Sequence, residues 1–180
     1  MKKINYILSL CLAFLLVGCH SSDNQELKPI SPDKEIDESD SKPSKDYVDF
    51  IGQSLDQETS YLSNYIEEGK YTLLAFWAPW CRYCLKEMKE LNEIYDKYKE
   101  QDFALVGIVL EGNIDTIKQT IHKYGIEWPQ LVDGSRISTS KDHYNFNSIP
   151  YLVLLEKDGT ISDKKPIKGK LDSWIQELLK

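Results

Sequence analysis

The chain has 180 residues, of which 41% are hydrophobic, and it carries a formal net charge of -7 at pH 7. This length, less a leader, supports one domain with a sizeable core. The acidic balance excludes nucleic acid as an expected partner, because binding to phosphate groups needs a basic surface.

The first 18 residues are predicted to be a lipoprotein signal peptide. Lys2 and Lys3 make a short basic region, and Ile4–Val17 is an apolar run too short to span a bilayer. The run ends in Leu16-Val17-Gly18-Cys19, which resembles the lipobox cut by the bacterial lipoprotein signal peptidase. This resemblance implies a lipid anchor on Cys19. We therefore expect the protein in the cell envelope, attached to a membrane on its extracytoplasmic side, in the periplasm or at an outer membrane face.

Residues 19–46 are predicted to be a disordered linker. The stretch is rich in Ser, Asp, Glu, Lys and Pro, and its aliphatic residues are Leu27, Ile30 and Ile36. Such a segment cannot bury enough apolar surface to fold. As a random coil it would hold the folded domain on the order of 30 Å from the bilayer.

The folded domain is predicted over residues 47–180. Apolar runs and helical periodicity predict, in chain order, an extended segment at 47–51, a helix within 58–67, a strand at 71–77, a helix from 81 to about 99, a strand at 103–110, a helix at 114–124, strands at 151–155 and 160–165, and a helix around 171–178. Lys157-Asp158-Gly159 between the last two strands is a hairpin signal.

Two cysteines stand between the 71–77 strand and the helix that follows it. Trp80-Cys81-Arg82-Tyr83-Cys84 places a dithiol at a helix N-terminus, where unpaired N–H groups and the helix dipole favour a thiolate. Cys11 would leave with the signal peptide and Cys19 would be blocked by lipid. The mature chain then keeps one dithiol and no structural disulfide, as expected of a thiol-disulfide oxidoreductase.

Three pieces of the sequence, taken in order, resemble the thioredoxin superfamily and, within it, the exported TlpA/ResA-like group. They are Ala75-Phe76-Trp77-Ala78-Pro79-Trp80-Cys81-x-x-Cys84, Trp128-Pro129-Gln130-Leu131-Val132-Asp133, and Ile149-Pro150 running into residues 151–159. The resemblance covers roughly residues 46 to 180. It implies an α/β thioredoxin-like fold with a central mixed sheet flanked by helices.

This resemblance assigns roles to the residues of the dithiol helix. Cys81, at the exposed helix start, would attack a partner disulfide, and Cys84 would resolve the mixed disulfide. Arg82 places a positive charge beside the nucleophile and favours its thiolate. Glu87 follows Cys84 at helical spacing on the apolar face, where a carboxyl of raised pKa could take the proton of Cys84. A solvated or salt-bridged Glu87 is the alternative.

The substrate would meet the dithiol on a surface from two parts of the chain. Pro150 would be a cis-proline that exposes the backbone of Ile149 to an extended peptide, and Trp80 and Tyr83 would supply an apolar docking surface. Either aromatic ring could instead cover the core.

Three positions depart from related patterns. Ala75 replaces the buried aspartate of thioredoxin, Lys89 replaces a kinking proline, and Tyr151 follows Pro150 where threonine is usual. The last two leave the shape of the substrate groove open.

The resemblance implies reduction of disulfides in exported proteins, such as apocytochrome c, with electrons from a membrane thiol donor and no cofactor. A disulfide-forming oxidant is the rival, because a stabilised thiolate makes a dithiol more oxidising. A copper metallochaperone is the non-enzymatic alternative; His122 and His143 are otherwise predicted to be solvated. A zinc site is disfavoured because no second CxxC exists. A peroxidase function has the least support from the sequence, because the residues that surround a peroxidatic cysteine in peroxiredoxins are not evident.

Overall fold

A six-stranded mixed sheet forms the centre of the structure, a computed structural model that describes residues 47–133 and 140–180. The strands are β1 (Ile51–Gln53), β2 (Thr59–Tyr61), β3 (Tyr71–Trp77), β4 (Phe103–Val109), β5 (Gln130–Val132) and β6 (Tyr151–Leu155). The helices are α1 (Arg82–Tyr98), α2 (Ile114–Tyr124), α3 (Ser140–His143) and α4 (Leu171–Leu178). The predicted α/β fold with a central mixed sheet flanked by helices is confirmed.

The sheet order is β2-β1-β5-β4-β3-β6. Strands β3, β4 and β5 run parallel, while β6 is antiparallel to β3 and β1 is antiparallel to β5. The parallel pair β3 and β4 is joined by α1, as a crossover connection requires. Both strands are buried almost throughout, which explains their continuous apolar sequences.

Alternate residues of β3 enter two separate hydrophobic clusters, because successive side chains of a strand point to opposite faces. Leu73, Ala75 and Trp77 pack with apolar residues of α1, α2 and α4. Leu74 and Phe76 pack on the other face, with Phe50, Leu62, Tyr144 and Phe146 among their partners. The cysteines of the dithiol belong to the first cluster. The redox site therefore lies on the sheet face that is covered by α1, α2 and α4.

Helix boundaries follow local capping. The side chain of Asn113 accepts a hydrogen bond from the backbone N–H of Asp115 at 2.8 Å and so caps the start of α2. Gly125 ends that helix with φ 61°, a left-handed conformation that suits glycine. The predicted helix 114–124 and its end at Gly125 are therefore confirmed.

Two predicted elements are wrong, and the predicted elements lack both β5 and the short helix α3. The predicted helix within 58–67 is strand β2 followed by a single 3-10 turn, Leu62–Tyr65. The predicted strand 160–165 is reduced to one bridge between Leu155 and Ile161. Strand β5 was not predicted, since three residues are too few to show a period.

The signal peptide, the lipidated Cys19 and the linker 19–46 lie outside the described residues, and they stay predictions. Within the two described ranges, no helix is both long and apolar enough to cross a membrane.

Candidate active site

Cys81 and Cys84 form a disulfide at the start of α1. Cys81 is the N-cap of the helix, and its sulfur accepts a hydrogen bond from the backbone N–H of Cys84 at 3.1 Å. The N–H of Cys81 in turn donates to the carbonyl oxygen of Ala78 at 3.0 Å, which turns the chain from β3 into the helix. The helix N-terminus therefore donates directly to the sulfur that would carry negative charge after reduction.

The burial of the cysteines differs from expectation. Cys81 was expected at an exposed helix start, but it is only 5% exposed, and Cys84 is 1% exposed. Arg82 and Tyr83, the residues between them, are exposed instead. The capping bond and the disulfide both hold the Cys81 side chain against the first turn of the helix. Cys81 remains the less buried of the two sulfur-bearing residues.

Two aromatic side chains surround the helix start on the outside. Trp80 is 64% exposed and Tyr83 is 70% exposed. The alternative that either ring covers the core is therefore wrong, and a role of the two rings in docking stays a prediction. The Nζ of Lys86 lies 5.5 Å from the centre of the Tyr83 ring. An apolar rim formed by Trp80 and Tyr83, with the Lys86 ammonium group nearby, thus lies beside the disulfide.

Register places the Ile149–Pro150 segment at the same end of the sheet as the dithiol. Phe76 of β3 pairs with Tyr151 of β6, so Pro150 comes next to the end of β3, where the chain leaves for Cys81. The Ile149–Pro150 peptide bond is cis, as predicted. Ile149 is half-buried and packs against the cluster that contains both cysteines. Two segments distant in sequence therefore meet at the dithiol end of the sheet.

Glu87 lies one turn after Cys84 on α1, at the edge of the buried face. The fully buried residue of this turn is Met88, and the Glu87 side chain is 24% exposed. Burial raises the pKa of the Glu87 carboxyl, while Lys168 opposes this shift and Glu90 adds to it. The carboxyl is drawn toward the core and its pKa is raised, as expected, but it is also ion-paired, which is the salt-bridged alternative. Its role in proton transfer stays a prediction.

The partner of Glu87 was not found from the sequence. The Nζ of Lys168 lies 3.4 Å from Glu87 Oε1, and it donates a hydrogen bond to the carbonyl oxygen of Pro150 at 2.7 Å. Lys168 precedes α4 within a lysine-rich stretch that is typical of a solvated surface. The sequence offers no signal that separates this lysine from its neighbours.

The structure also shows the surroundings of Ala75, Lys89 and the Trp128 to Asp133 motif. Ala75 belongs to the same buried cluster as both cysteines. Lys89 is exposed, and its Nζ lies 3.8 Å from Glu93 Oε1. The Gln130 side chain accepts from Trp77 Nε1 at 2.9 Å and donates to the Trp128 carbonyl at 2.9 Å. The Trp128 to Asp133 motif therefore stabilises the strand end from which the dithiol loop departs.

The two histidines of the folded domain lie on the surface, as predicted. His122, in the last turn of α2, and His143, at the end of α3, are both exposed. Across residues 47–133 and 140–180, no group of three or more His, Cys, Asp and Glu side chains is placed to hold a metal ion.

Comparison with protein families gives a match over residues 43–164 to the family described as AhpC/TSA. This match spans more than half of the chain. The chain belongs to the AhpC/TSA family. No curated protein matches the chain.

Solved structures resemble this AhpC/TSA member over most of its described length. A thiol-disulfide oxidoreductase from Bacteroides fragilis NCTC 9343 is 27% identical, with a TM-score of 0.66 over 74% of this chain and 99% of that one. The thioredoxin domain of a thiol-disulfide oxidoreductase from Bacteroides vulgatus is 22% identical, with a TM-score of 0.66 over 75% and 96%. A secreted Mycobacterium tuberculosis disulfide oxidoreductase is 24% identical, with a TM-score of 0.53 over 63% and 80%.

These likenesses confirm the predicted thioredoxin-like fold and membership of the thioredoxin superfamily. The predicted enzyme class, a thiol-disulfide oxidoreductase, agrees with the family and with the names of these neighbours and is confirmed at that level. The TlpA/ResA-like assignment within the superfamily is a finer statement and stays a prediction.

Proposed function

We propose that this AhpC/TSA member is an exported, lipid-anchored reductase of the TlpA/ResA type that reduces disulfides in exported proteins. The single observation that carries the proposal is the Cys81–Cys84 disulfide at the N-terminus of α1, with the Cys84 N–H donating to the Cys81 sulfur. A helix N-terminus favours the thiolate that attacks a disulfide. The rim of Trp80 and Tyr83 supports a protein partner rather than a small molecule.

The proposed reaction begins with the reduced dithiol. The Cys81 thiolate attacks one sulfur of the partner disulfide, so that a mixed disulfide forms and the partner's other sulfur leaves as a thiolate. Cys84 loses its proton to the Glu87 carboxylate and attacks the Cys81 sulfur. The mixed disulfide breaks, and Cys81–Cys84 is the oxidised product. The partner receives both electrons and becomes a dithiol by taking up one proton from Glu87 and one from solvent.

One further step, the re-reduction of the dithiol, completes the proposed cycle. A dithiol donor in the membrane reduces Cys81–Cys84 by the same exchange in reverse, since an oxidising compartment supplies no reductant of its own. The lipid on Cys19 keeps the domain near that donor. Ile149 offers its backbone to an extended segment of the substrate in the manner of strand addition. Apocytochrome c is one candidate substrate.

Trapping of the mixed disulfide tests this function. With Cys84→Ser, a partner disulfide should become covalently attached to Cys81, because the resolving thiol is absent. With Cys81→Ser, no adduct should form, although the chain still holds one thiol at the site. Non-reducing electrophoresis of the reduced variants mixed with a protein disulfide distinguishes the two. Equal adducts on both variants would contradict the assignment of the nucleophile.

Separate experiments test the direction of disulfide exchange, each competing function and the lipid anchor. Fast oxidation of a reduced protein by the Cys81–Cys84 disulfide, with little reduction in return, would favour the disulfide-forming oxidant. Consumption of peroxide without any disulfide substrate would favour a peroxidase. Stoichiometric Cu(I) on the reduced protein, lost with His143→Ala, would favour the metallochaperone. Cys19→Ala should release the protein from the membrane fraction if the anchor is lipid.

A further inference from the structure

One ammonium group connects the helix of the dithiol with the segment that precedes β6. The Nζ of Lys168 lies 3.4 Å from Glu87 Oε1 and donates to the Pro150 carbonyl oxygen at 2.7 Å. Glu87 belongs to α1 and Pro150 to the β6 approach, whereas Lys168 comes from the connection to α4. The backbone carbonyl thus gives the flexible lysine side chain a fixed partner within reach of the carboxylate.

The backbone that follows Lys168 is itself attached to α1. The Glu90 carboxylate accepts hydrogen bonds from the N–H of Gly169 at 3.3 Å and from the N–H of Leu171 at 3.2 Å. Glu90 lies one turn after Glu87, so the same face of α1 holds the backbone just after the lysine and receives the lysine side chain. The contact between Lys168 and Glu87 is therefore supported by a second set of bonds and differs from a freely moving surface pair.

The charges that face Glu87 oppose one another. Burial and the neighbouring Glu90 raise the pKa of the Glu87 carboxyl, and the charge and hydrogen bond of Lys168 lower it. The Glu87 side chain is 24% exposed and that of Lys168 is 46% exposed, so solvent screens the pair only in part. Lys168 consequently limits the rise in the Glu87 pKa that burial causes.

We propose that Lys168 is a positioning residue for Glu87: anchored on the Pro150 carbonyl, its ammonium group holds the Glu87 carboxylate ionised and ready to accept a proton. This inference rests on the proposed function, in which Glu87 takes the proton of Cys84. Lys168 touches neither cysteine in this role and acts through Glu87. Arginine at this position can keep both contacts, whereas methionine keeps the aliphatic stem and loses the charge.

The direct test measures the titration of the Glu87 carboxyl in the oxidised full chain by carbon-13 NMR. Wild type is compared with Lys168→Met, Lys168→Arg and Lys170→Met, the last being a matched loss of charge from an exposed lysine of the same connection. We expect Lys168→Met to raise the Glu87 pKa, and Lys168→Arg and Lys170→Met to leave it close to wild type. An unchanged Glu87 pKa in Lys168→Met would overturn the proposal.

A kinetic readout tests the consequence for exchange. The acid-side midpoint of the rate of disulfide reduction should move to higher pH in Lys168→Met and should not move when the same change is made in a Glu87→Gln background. An equal shift in both backgrounds would overturn the proposal, because Lys168 would then act independently of Glu87. The NMR titration needs no turnover, so failure of the chain to reduce any disulfide would contradict the proposed function while leaving this result readable.

Discussion

Phe76 and Tyr151 pair across β3 and β6, and their ring centres are 6.1 Å apart. Because the two strands are antiparallel, this register sets Pro150 beside the end of β3, from which the chain continues to Cys81. The Phe146 ring stacks on the Tyr151 ring with their centres 4.8 Å apart, so three aromatic rings pack together here. The register of β3 and β6, packed on one face by these aromatic rings, thus brings the segment before β6 beside the dithiol on the other face.

Glu87→Gln is expected to change both stability and activity. The folded pKa is raised above the unfolded value of about 4.3, so stability is lost as the pH rises through the folded pKa. The variant should therefore unfold at a higher temperature than wild type at pH 7, and the difference should vanish near pH 3. The rate of disulfide reduction at neutral pH should fall by about 100-fold.

Circular dichroism melts at the two pH values, with the exposed Glu93→Gln as a control on the same helix, check the stability prediction. A gain of the same size at pH 3 and pH 7 would show that burial of the Glu87 charge is not its cause.

Gly107→Ala is expected to destabilise the fold by about 1–3 kcal/mol. A Cβ at this position would overlap with the Gln130 carboxamide, which is buried and bonded to Trp77. Urea unfolding measures the cost. Gln130→Ala in the same chain removes the obstacle, so the two costs should be less than additive. Strict additivity would mean that the overlap is relieved elsewhere.

Tyr98→Phe should cost about 0.5–1.5 kcal/mol in the free energy of unfolding. The Tyr98 hydroxyl donates to Asp172 Oδ1 at 2.8 Å and so attaches the end of α1 to the start of α4. Tyr95→Phe, on the same helix, is the matched control and should remain near wild type. If both variants were equally unstable, the bond between the two helices would not be the reason.

Replacement of Trp80 and Tyr83 by alanine should affect docking and not folding. Both rings are exposed, so the free energy of unfolding should change by less than about 0.5 kcal/mol for each. The kcat/KM for a protein disulfide should fall, while that for a small-molecule disulfide should be nearly unchanged. A matching loss with both substrates would indicate that the rings serve the dithiol itself.

The elements with a clear hydrophobic pattern were predictable from the sequence. Strands β3 and β6 and helix α2 have the predicted bounds because continuous apolar runs and helical periodicity report burial directly. The helix predicted within 58–67 was wrong because the spacing of apolar residues there does not report burial. Its apolar residues recur at helical spacing, but the exposed Tyr61 pairs with β1, and Asn64 accepts from the Tyr61 N–H at 2.9 Å. Tertiary pairing overrode the local period.

The site was predictable to the extent that it lies in one local motif. The dithiol and the spacing from Cys84 to Glu87 could be read along one helix. The inward turn of Cys81 and the contact of Lys168 with Pro150 depend on three-dimensional packing between distant segments. No periodicity or local composition encodes such contacts, so the sequence could not reveal them.

The reduction potential of the Cys81–Cys84 couple tests the central proposal most directly. Equilibration in thiol redox buffers, followed by alkylation of free thiols, gives this potential. A value near or below about -250 mV, in the range of thioredoxin, is the result expected of a reductase supplied by a membrane donor. A value above about -150 mV, toward that of DsbA, would contradict the proposed direction and make the protein a disulfide-forming oxidant.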